Sequence, residues 1–282
     1  MRHLVSLALV LGCAFSSAVP AAGSGCDRGC LIGLLKAQVA GMQAHKPAPL
    51  APDFRYTENA VQMKPGEGLW RTLGQSGDFQ RWYADPATGD AAFFGVVEEA
   101  GTPAILSLRM RFAGGRATQA EAIVVRKGSH NFYSPEGLAK DGMSDAPHRS
   151  KTPQTRAQLL AAADSYFNGI QTQDPTVVLS TPDCVRVENG TKVSQYPGTP
   201  PSAAYTDKDC TANIPGMKQI AQVANRRYLV DEAAGVVLGA VVFNRHPGAK
   251  RADGSPQLRL LVHEYFTVQE GRFGGIYAAM QN

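Results

Sequence analysis

The sequence lacks every short signature that would name an enzyme mechanism outright. Its 282 residues hold no Gly-x-Ser-x-Gly elbow, no His-Glu-x-x-His pair, no Walker loop and no dinucleotide fingerprint behind a strand. The six histidines are scattered without ligand spacing. Neither a catalytic metal nor a nucleotide cofactor is indicated. Charge is also sparse: 18% of residues are charged, the formal net charge is +4, and no run of Lys and Arg concentrates it. A nucleic-acid surface needs a basic stripe, so that class is set aside. Beyond the N-terminus no apolar stretch is long enough to cross a bilayer. What is present, 44% hydrophobic residues, supports one large domain or two ordinary ones.

The N-terminus reads MRHLVSLALVLGCAFSSAVPAAG. Arg2 supplies a positive start, Leu4 to Ala18 an apolar core, and Val19 to Ala21 small residues for cleavage. This predicts a signal peptide over residues 1–22 and an exported, soluble mature protein. The run is short for a membrane anchor. Cys13 after VLG leaves a lipoprotein signal as a minor alternative. With Cys13 removed, Cys26, Cys30, Cys184 and Cys210 remain, an even count that suggests disulfides in an oxidising compartment. Of three pairings the local one is favoured: Cys26 with Cys30, Cys184 with Cys210. Zinc is disfavoured, because CDRGC has neither Cys-x-x-Cys spacing nor a nearby His.

The chain is one unit written twice. PDFRYTENA, from Pro52, recurs as PDCVRVENG, from Pro182. Before each copy stands a helical pattern with one apolar face: Leu31, Leu34, Leu35, Gln38, Val39 and Met42, then Leu159, Leu160, Ala163, Tyr166, Phe167 and Ile170. After each copy come an Asp-to-Gly hairpin turn (Asp85 to Gly89, Asp231 to Gly235) and a meander of three strands. Each half is thus an α+β unit, a curved antiparallel sheet with helices on its concave side. The expected boundaries are 26–133 and 155–282, joined by a polar linker over 134–154. VVLGAVVF is apolar enough to be a buried sheet between the repeats. The two copies are expected to pack as a pseudo-dimer within a monomer.

This order of elements resembles the cone of nuclear transport factor 2, the SnoaL-like polyketide cyclases and ketosteroid isomerase. More closely, CDRGCL, FRYTENA, GLWRT, FFGVVEEAGTPAILSLRMRF, DCVRVENG and RRYLVDEAAGVVLGAVVF resemble a family of exported fungal and bacterial proteins of unknown function in that superfamily. The resemblance implies a deep apolar pocket with a few polar groups inside, a default small-molecule site. It implies no catalytic motif, because fold does not fix chemistry.

Side chains alternate along a strand. Phe54, Tyr56 and Glu58 therefore share one face, and a carboxylate beside aromatics is a candidate acid or base. The structural alternative is a rim Glu paired with Arg55 or Arg71. Where the copies differ, Tyr56 against Arg186 and Phe54 against Cys184, Glu58 is the better catalytic candidate and Glu188 the structural echo. Asn59 and Asn189 suit turns, and Asn189-Gly-Thr191 also fits a glycosylation sequon. Trp70 and Arg71 could stack on a substrate and bind its carboxylate, or be a core Trp and a solvent Arg. Arg109 could stabilise developing negative charge, or lie on a solvated edge. His130 could reach over a pocket mouth with a pKa suited to proton transfer, or be a loop His. Tyr83 and Tyr228 open corresponding strands and could donate to a substrate oxygen. His263 and Glu264 are strand neighbours, so they cannot enter one pocket together.

Two functions follow. One is a cofactor-independent enzyme acting by acid–base chemistry, as a lyase, dehydratase, isomerase or hydrolase, on a small apolar or aromatic molecule. Its pocket would lie in the first half, with Glu58 or His130 as base and Arg109 or Tyr83 as stabiliser. The other is a non-catalytic exported binding or structural module. An open cone with converging ionisable groups favours the enzyme; two plugged cones favour the module.

Overall fold

Apolar periodicity becomes two matched helices. The computed structural model describes residues 25–46, 48–143, 153–199, 201–202, 204–250 and 254–282. The expected signal peptide over 1–22, with Cys13, lies outside the described residues. Helix α1 spans Arg28–Gln43, capped by Asp27, whose carboxylate accepts from the Cys30 amide at 2.8 Å. It buries Leu31, Leu35, Gln38, Val39 and Met42.

The first half continues through β1 (Leu50–Glu58), β2 (Val61–Met63), the single turn α2 (Leu69–Thr72), β3 (Leu73–Asp85), β4 (Asp90–Glu99), β5 (Thr102–Ala113) and β6 (Arg116–Val125). Helices α3 (Pro135–Asp141) and α4 (Arg156–Thr172) follow. Helix α4 starts in a capping box, Thr155 with Gln158, and buries Leu159, Ala163, Tyr166, Phe167 and Ile170, matching α1 position for position. The second half then runs through β7 (Ser180–Glu188), β8 (Thr191–Lys192), β9 (Ile220–Asp231), β10 (Val236–Arg245), β11 (Arg259–Gln269) and β12 (Arg272–Gln281).

The sheets have identical order, β2-β1-β6-β5-β4-β3 and β8-β7-β12-β11-β10-β9. The tandem duplication is therefore complete at the level of topology. The sheets are mixed rather than antiparallel, because β1 runs parallel to β6 and β7 to β12. In the first half the chain passes from β2 to β3 through α2 instead of a hairpin, so the four-strand meander begins without reversing direction. The meander then returns its last strand alongside the first. Asn59 and Asn189 secure that parallel seam. Asn59 takes φ +49°, accepts from the Val124 amide at 2.9 Å and donates to the Val124 carbonyl at 3.0 Å. Asn189 takes φ +47° and does the same with Met280 at 2.7 and 3.1 Å. Asn189 is fully buried, so its sequon is not presented at the surface.

One face of each sheet carries its own helix, and the other meets the second sheet. Leu35, Trp70, Leu106 and Leu108 belong to the first interior; Phe167, Val237, Phe266 and Ile276 to the second. Phe79, Tyr83, Phe94, Leu229, Leu238 and Tyr265 fill the layer between the sheets. Strand β10 is buried on both faces, as its unbroken apolar run requires. The contact is symmetric. Arg28 at the start of α1 bonds Asp231 at 2.8 Å, and Arg156 at the start of α4 bonds Asp85 at 2.7 Å. Asp231 also accepts from the Ala84 amide and Asp85 from the Val230 amide, each at 3.0 Å.

The segment expected as a polar linker is partly structural. Helix α3 lies within it, and Leu138 and Met143 enter the layer between the sheets. Disulfides join Cys26 to Cys30 and Cys184 to Cys210, the chemistry of an oxidising compartment. Among the described residues no helix is long and apolar enough to cross a membrane.

Candidate active site

One lateral row of residues gains a second carboxylate in the second copy. In the first half it runs Glu58, Ala122, Leu108, Phe93, Trp82 across β1, β6, β5, β4 and β3. In the second it runs Glu188, Ala278, Glu264, Gly239, Tyr228 across β7, β12, β11, β10 and β9. A carboxylate thus stands where the first copy has Leu108, two strands from Glu188, with only the Ala278 methyl between. Adjacent strands lie about 4.8 Å apart, so the two carboxylates can address one small molecule. Gly239 clears the next position: a Cβ there would lie 2.6 Å from Cε2 of Phe167, which fills that space from α4.

The second row borders a cavity of about 300 Å³, at the small end of ligand pockets. Glu264, Arg186, Tyr166 and Gln257 contribute its buried polar lining, while Glu188, His130, Arg245 and Asn282 line it from partly buried positions. Phe132, Met217, Ile220, Phe243, Leu260 and Met280 supply apolar wall.

Arg186 is buried and held from several sides. Its Nη1 donates to Asn213 Oδ1 at 2.8 Å, to the Cys210 carbonyl at 3.1 Å and to the Tyr166 hydroxyl at 3.3 Å. The Cys184–Cys210 disulfide fixes that carbonyl beside β7. The sulfurs also lie near Asp209, but bonded to each other they offer no thiolate to a metal. Arg186 Nε stands 3.1 Å from Glu188 Oε1. Glu264 is only 2% exposed, and its Oε2 has no hydrogen-bond partner among the described residues. Burial, with the charge of Glu188 added and Arg186 opposing, pushes Glu264 up to about 8. Burial raises Glu188 as well, against the pull of Arg186. With Arg186 beside it, Glu188 ionises first, and its charge then holds the proton on Glu264.

In the first copy the same scaffold is closed. Trp70 is 1% exposed and packs edge-on against Phe54 and Tyr56 at 5.9 and 5.7 Å. Glu58 shares their face, as the alternation predicts, but its oxygens are engaged. Oε2 accepts from the Tyr56 hydroxyl at 2.8 Å and the Leu69 amide at 2.7 Å, and Oε1 pairs with Arg126 at 2.6 Å. Gly68, at φ +58°, permits that approach; a Cβ there would lie 2.4 Å from Glu58 Oε2. The partner is thus Arg126, not Arg55 or Arg71.

The other expected site residues disperse. Arg109 shares the face of Ser107, which meets the second sheet; there it pairs with Asp90 at 2.8 Å and lies 4.0 Å from Glu121. It faces away from Glu58. Tyr83 also lies between the sheets, its hydroxyl 3.4 Å from Met143 Sδ. It is not the counterpart of Tyr228. Aligning the Asp85 and Asp231 turns pairs Tyr228 with Trp82, and a one-residue offset on a strand reverses the face. Arg71 is exposed at the end of α2. His130 does line a cavity, but the second copy's. Its Nδ1 accepts from the Phe132 amide at 3.0 Å. Burial lowers its pKa, and the Arg245 charge adds to the shift. His263 turns between the sheets, its Nδ1 2.8 Å from Ser107 Oγ, while its neighbour Glu264 faces the cavity.

Sequence reasoning passed over Glu264, Arg186 and Tyr166 as site residues and demoted Glu188. The usable signal was the alignment of the halves: a Glu replacing Leu108 and an Arg replacing Tyr56 on strands otherwise alike.

Fold and site together define a tandem duplication of one α+β unit, a six-stranded mixed sheet with a helix on one face, with one copy filled and the other open. Residues 152–280 match a family described as "Domain of unknown function (DUF8021)". No curated protein matches the chain. Among solved structures it is similar to AusH from Aspergillus nidulans, with 17% identity over 46% of this chain and 88% of that one, TM-score 0.33. It is similar to an NTF2-like protein from Burkholderia xenovorans LB400, with 11% identity over 46% and 93%, TM-score 0.33. It is also similar to IdmH from Streptomyces antibioticus, a candidate polyketide cyclase, with 12% identity over 44% and 91%, TM-score 0.31.

Proposed function

We propose that this protein is an exported, cofactor-independent enzyme that performs acid–base chemistry on a small, largely apolar molecule in the cone of its second half. The observation that carries the reading is Glu264, a buried carboxyl with an unpartnered oxygen lining a cavity shared with Glu188. Two carboxyls whose environments separate their proton affinities can divide the roles of acid and base. Glu264, protonated near neutral pH, donates to a substrate oxygen or leaving group. Glu188, ionised beside Arg186, accepts a proton from carbon or water. Tyr166 and Arg186 favour negative charge developing between them. Isomerisation, dehydration, lyase cleavage and ring hydrolysis all fit that set. The first copy serves as the structural partner of the pseudo-dimer, and the protein works as a monomer. The N-terminal sequence and the two disulfides support export.

The test is turnover of a panel of enolisable ketones, β-hydroxy carbonyl compounds and epoxides, followed by NMR in deuterated water. Deuterium incorporation or product should fall about 10²-fold or more in Glu264→Gln and in Glu188→Gln. If both variants turn over a found substrate as wild type does, the assignment is wrong. Sedimentation should find a single chain of about 30 kDa; a large homo-oligomer would refute the monomeric packing.

A non-catalytic binding module remains the second reading, favoured by the closed first copy. It predicts a ligand that binds the second cone and leaves unchanged.

A further inference from the structure

The two copies differ again at the mouth of the cone. Strands β4 and β10 are both ten residues long and end at Glu99 and Arg245. Strands β6 and β12 are also both ten residues long, and Arg126 and Asn282 are the residues that follow them. In the first copy these positions close on each other. Arg126 donates to Glu99 at 2.6 and 2.7 Å and to Glu58 at 2.6 Å, while Thr72 donates to Glu99 at 2.9 Å. Every charge there has a partner on the protein.

In the second copy the acid has become Arg245 and the base has become Asn282, whose side chain is bonded by Gln257. Arg245 is left without an ion pair among the described residues, and its Nε is buried with no hydrogen-bond partner. It lines the cavity beside His130. The other cation of the lining, Arg186, is already held by Asn213, Tyr166 and backbone carbonyls, with Glu188 alongside. Glu264 is the remaining acid and holds its proton near neutral pH. The open cone therefore carries one uncompensated positive charge, at its mouth. A half-buried guanidinium is costly without an anion, and its planar fork matches a carboxylate.

We propose that Arg245, with His130 beside it, forms an anion subsite, and that the second cone binds a small carboxylic acid by its charged end. The carboxylate sits on Arg245, the apolar body lies along Phe132, Phe243, Ile220 and Leu260, and the reacting group reaches Glu264 and Glu188. His130 adds a neutral donor. Its Nδ1 accepts from the Phe132 amide, so the neutral ring carries its proton on Nε2. This inference rests on reading the second cone as the binding site, and it names the substrate class.

The test uses ω-phenylalkanoates from phenylacetate to 5-phenylpentanoate and their primary amides as probes, titrated into the full mature chain by calorimetry. At least one carboxylate should bind tenfold or more tightly than its amide. That ratio should fall close to one in Arg245→Met, survive in reduced form in Arg245→Lys, and persist in Glu264→Gln. If no carboxylate outbinds its amide in wild type, or if the preference survives in folded Arg245→Met, the subsite does not exist. Should Arg245→Met fail to fold, Arg245→Gln and the salt dependence of the wild-type ratio decide instead: a ratio indifferent to both overturns the proposal. The two readings fail separately. Loss of the preference in Arg245 variants with turnover indifferent to Glu264 and Glu188 would remove the catalytic assignment and leave the subsite. The converse would remove the subsite alone.

Discussion

Glu264→Gln should make the protein more stable at alkaline pH, although it alters a buried polar side chain. In the native state the carboxyl titrates near 8 instead of its ordinary 4.5. Between those values the native state keeps a proton that the unfolded chain has released. Unfolding then releases a proton, so stability falls as pH rises through that window and levels off above it. At about 1.4 kcal/mol per tenfold change in proton affinity, the loss is roughly 3 kcal/mol by pH 7 and roughly 5 kcal/mol above pH 8.5. Gln has no proton to lose and nearly the same shape. Below pH 5 the two proteins should differ little. Above it, wild type should weaken relative to the variant by several kcal/mol, on the order of half the stability of an ordinary domain. Urea unfolding with the disulfides intact, at half-unit steps from pH 5 to 9, reads this directly. Parallel pH curves for the two proteins would refute the reasoning, because they would place Glu264 in contact with solvent or with a partner.

Three further outcomes follow from the packing. Gly239→Ala places a methyl 2.6 Å from the Phe167 ring and should cost about 1–3 kcal/mol by overpacking, seen as a lower Tm. Trp70→Ala should cost about 3–5 kcal/mol in urea unfolding and leave ligand affinity of the second cone unchanged, since Trp70 lies in the other interior. Asp85→Ala leaves Arg156 and the Val230 amide without their carboxylate. It should cost about 2–4 kcal/mol, less than a fully buried pair because Arg156 is 34% exposed.

How much of this was legible beforehand differs by feature. The helices were readable because α1 and α4 bury the same apolar positions at the same spacing. The turns were readable from Asp and Gly, and Cys26–Cys30 from proximity. The shared face of Phe54, Tyr56 and Glu58 also followed from alternation alone. The site did not, because a residue's face says nothing of what else occupies it. Glu58 points inward as expected, but Arg126, Tyr56 and the Leu69 amide meet it there. Tyr83 was misaligned by one residue, which on a strand reverses the face.

The sequence by itself determined the duplication and the order of elements in each half, because those depend on periodicity and turn chemistry, and it favoured the local disulfides without deciding among the three pairings. Only the tertiary structure decided which cone is open. That depends on whether a Trp from a single helical turn lies across the interior, and on whether each buried charge meets its opposite from a distant strand. In the first copy Glu58, Glu99 and Arg126 close on each other. In the second, Glu264 and Arg245 each keep a buried side-chain atom without a partner among the described residues.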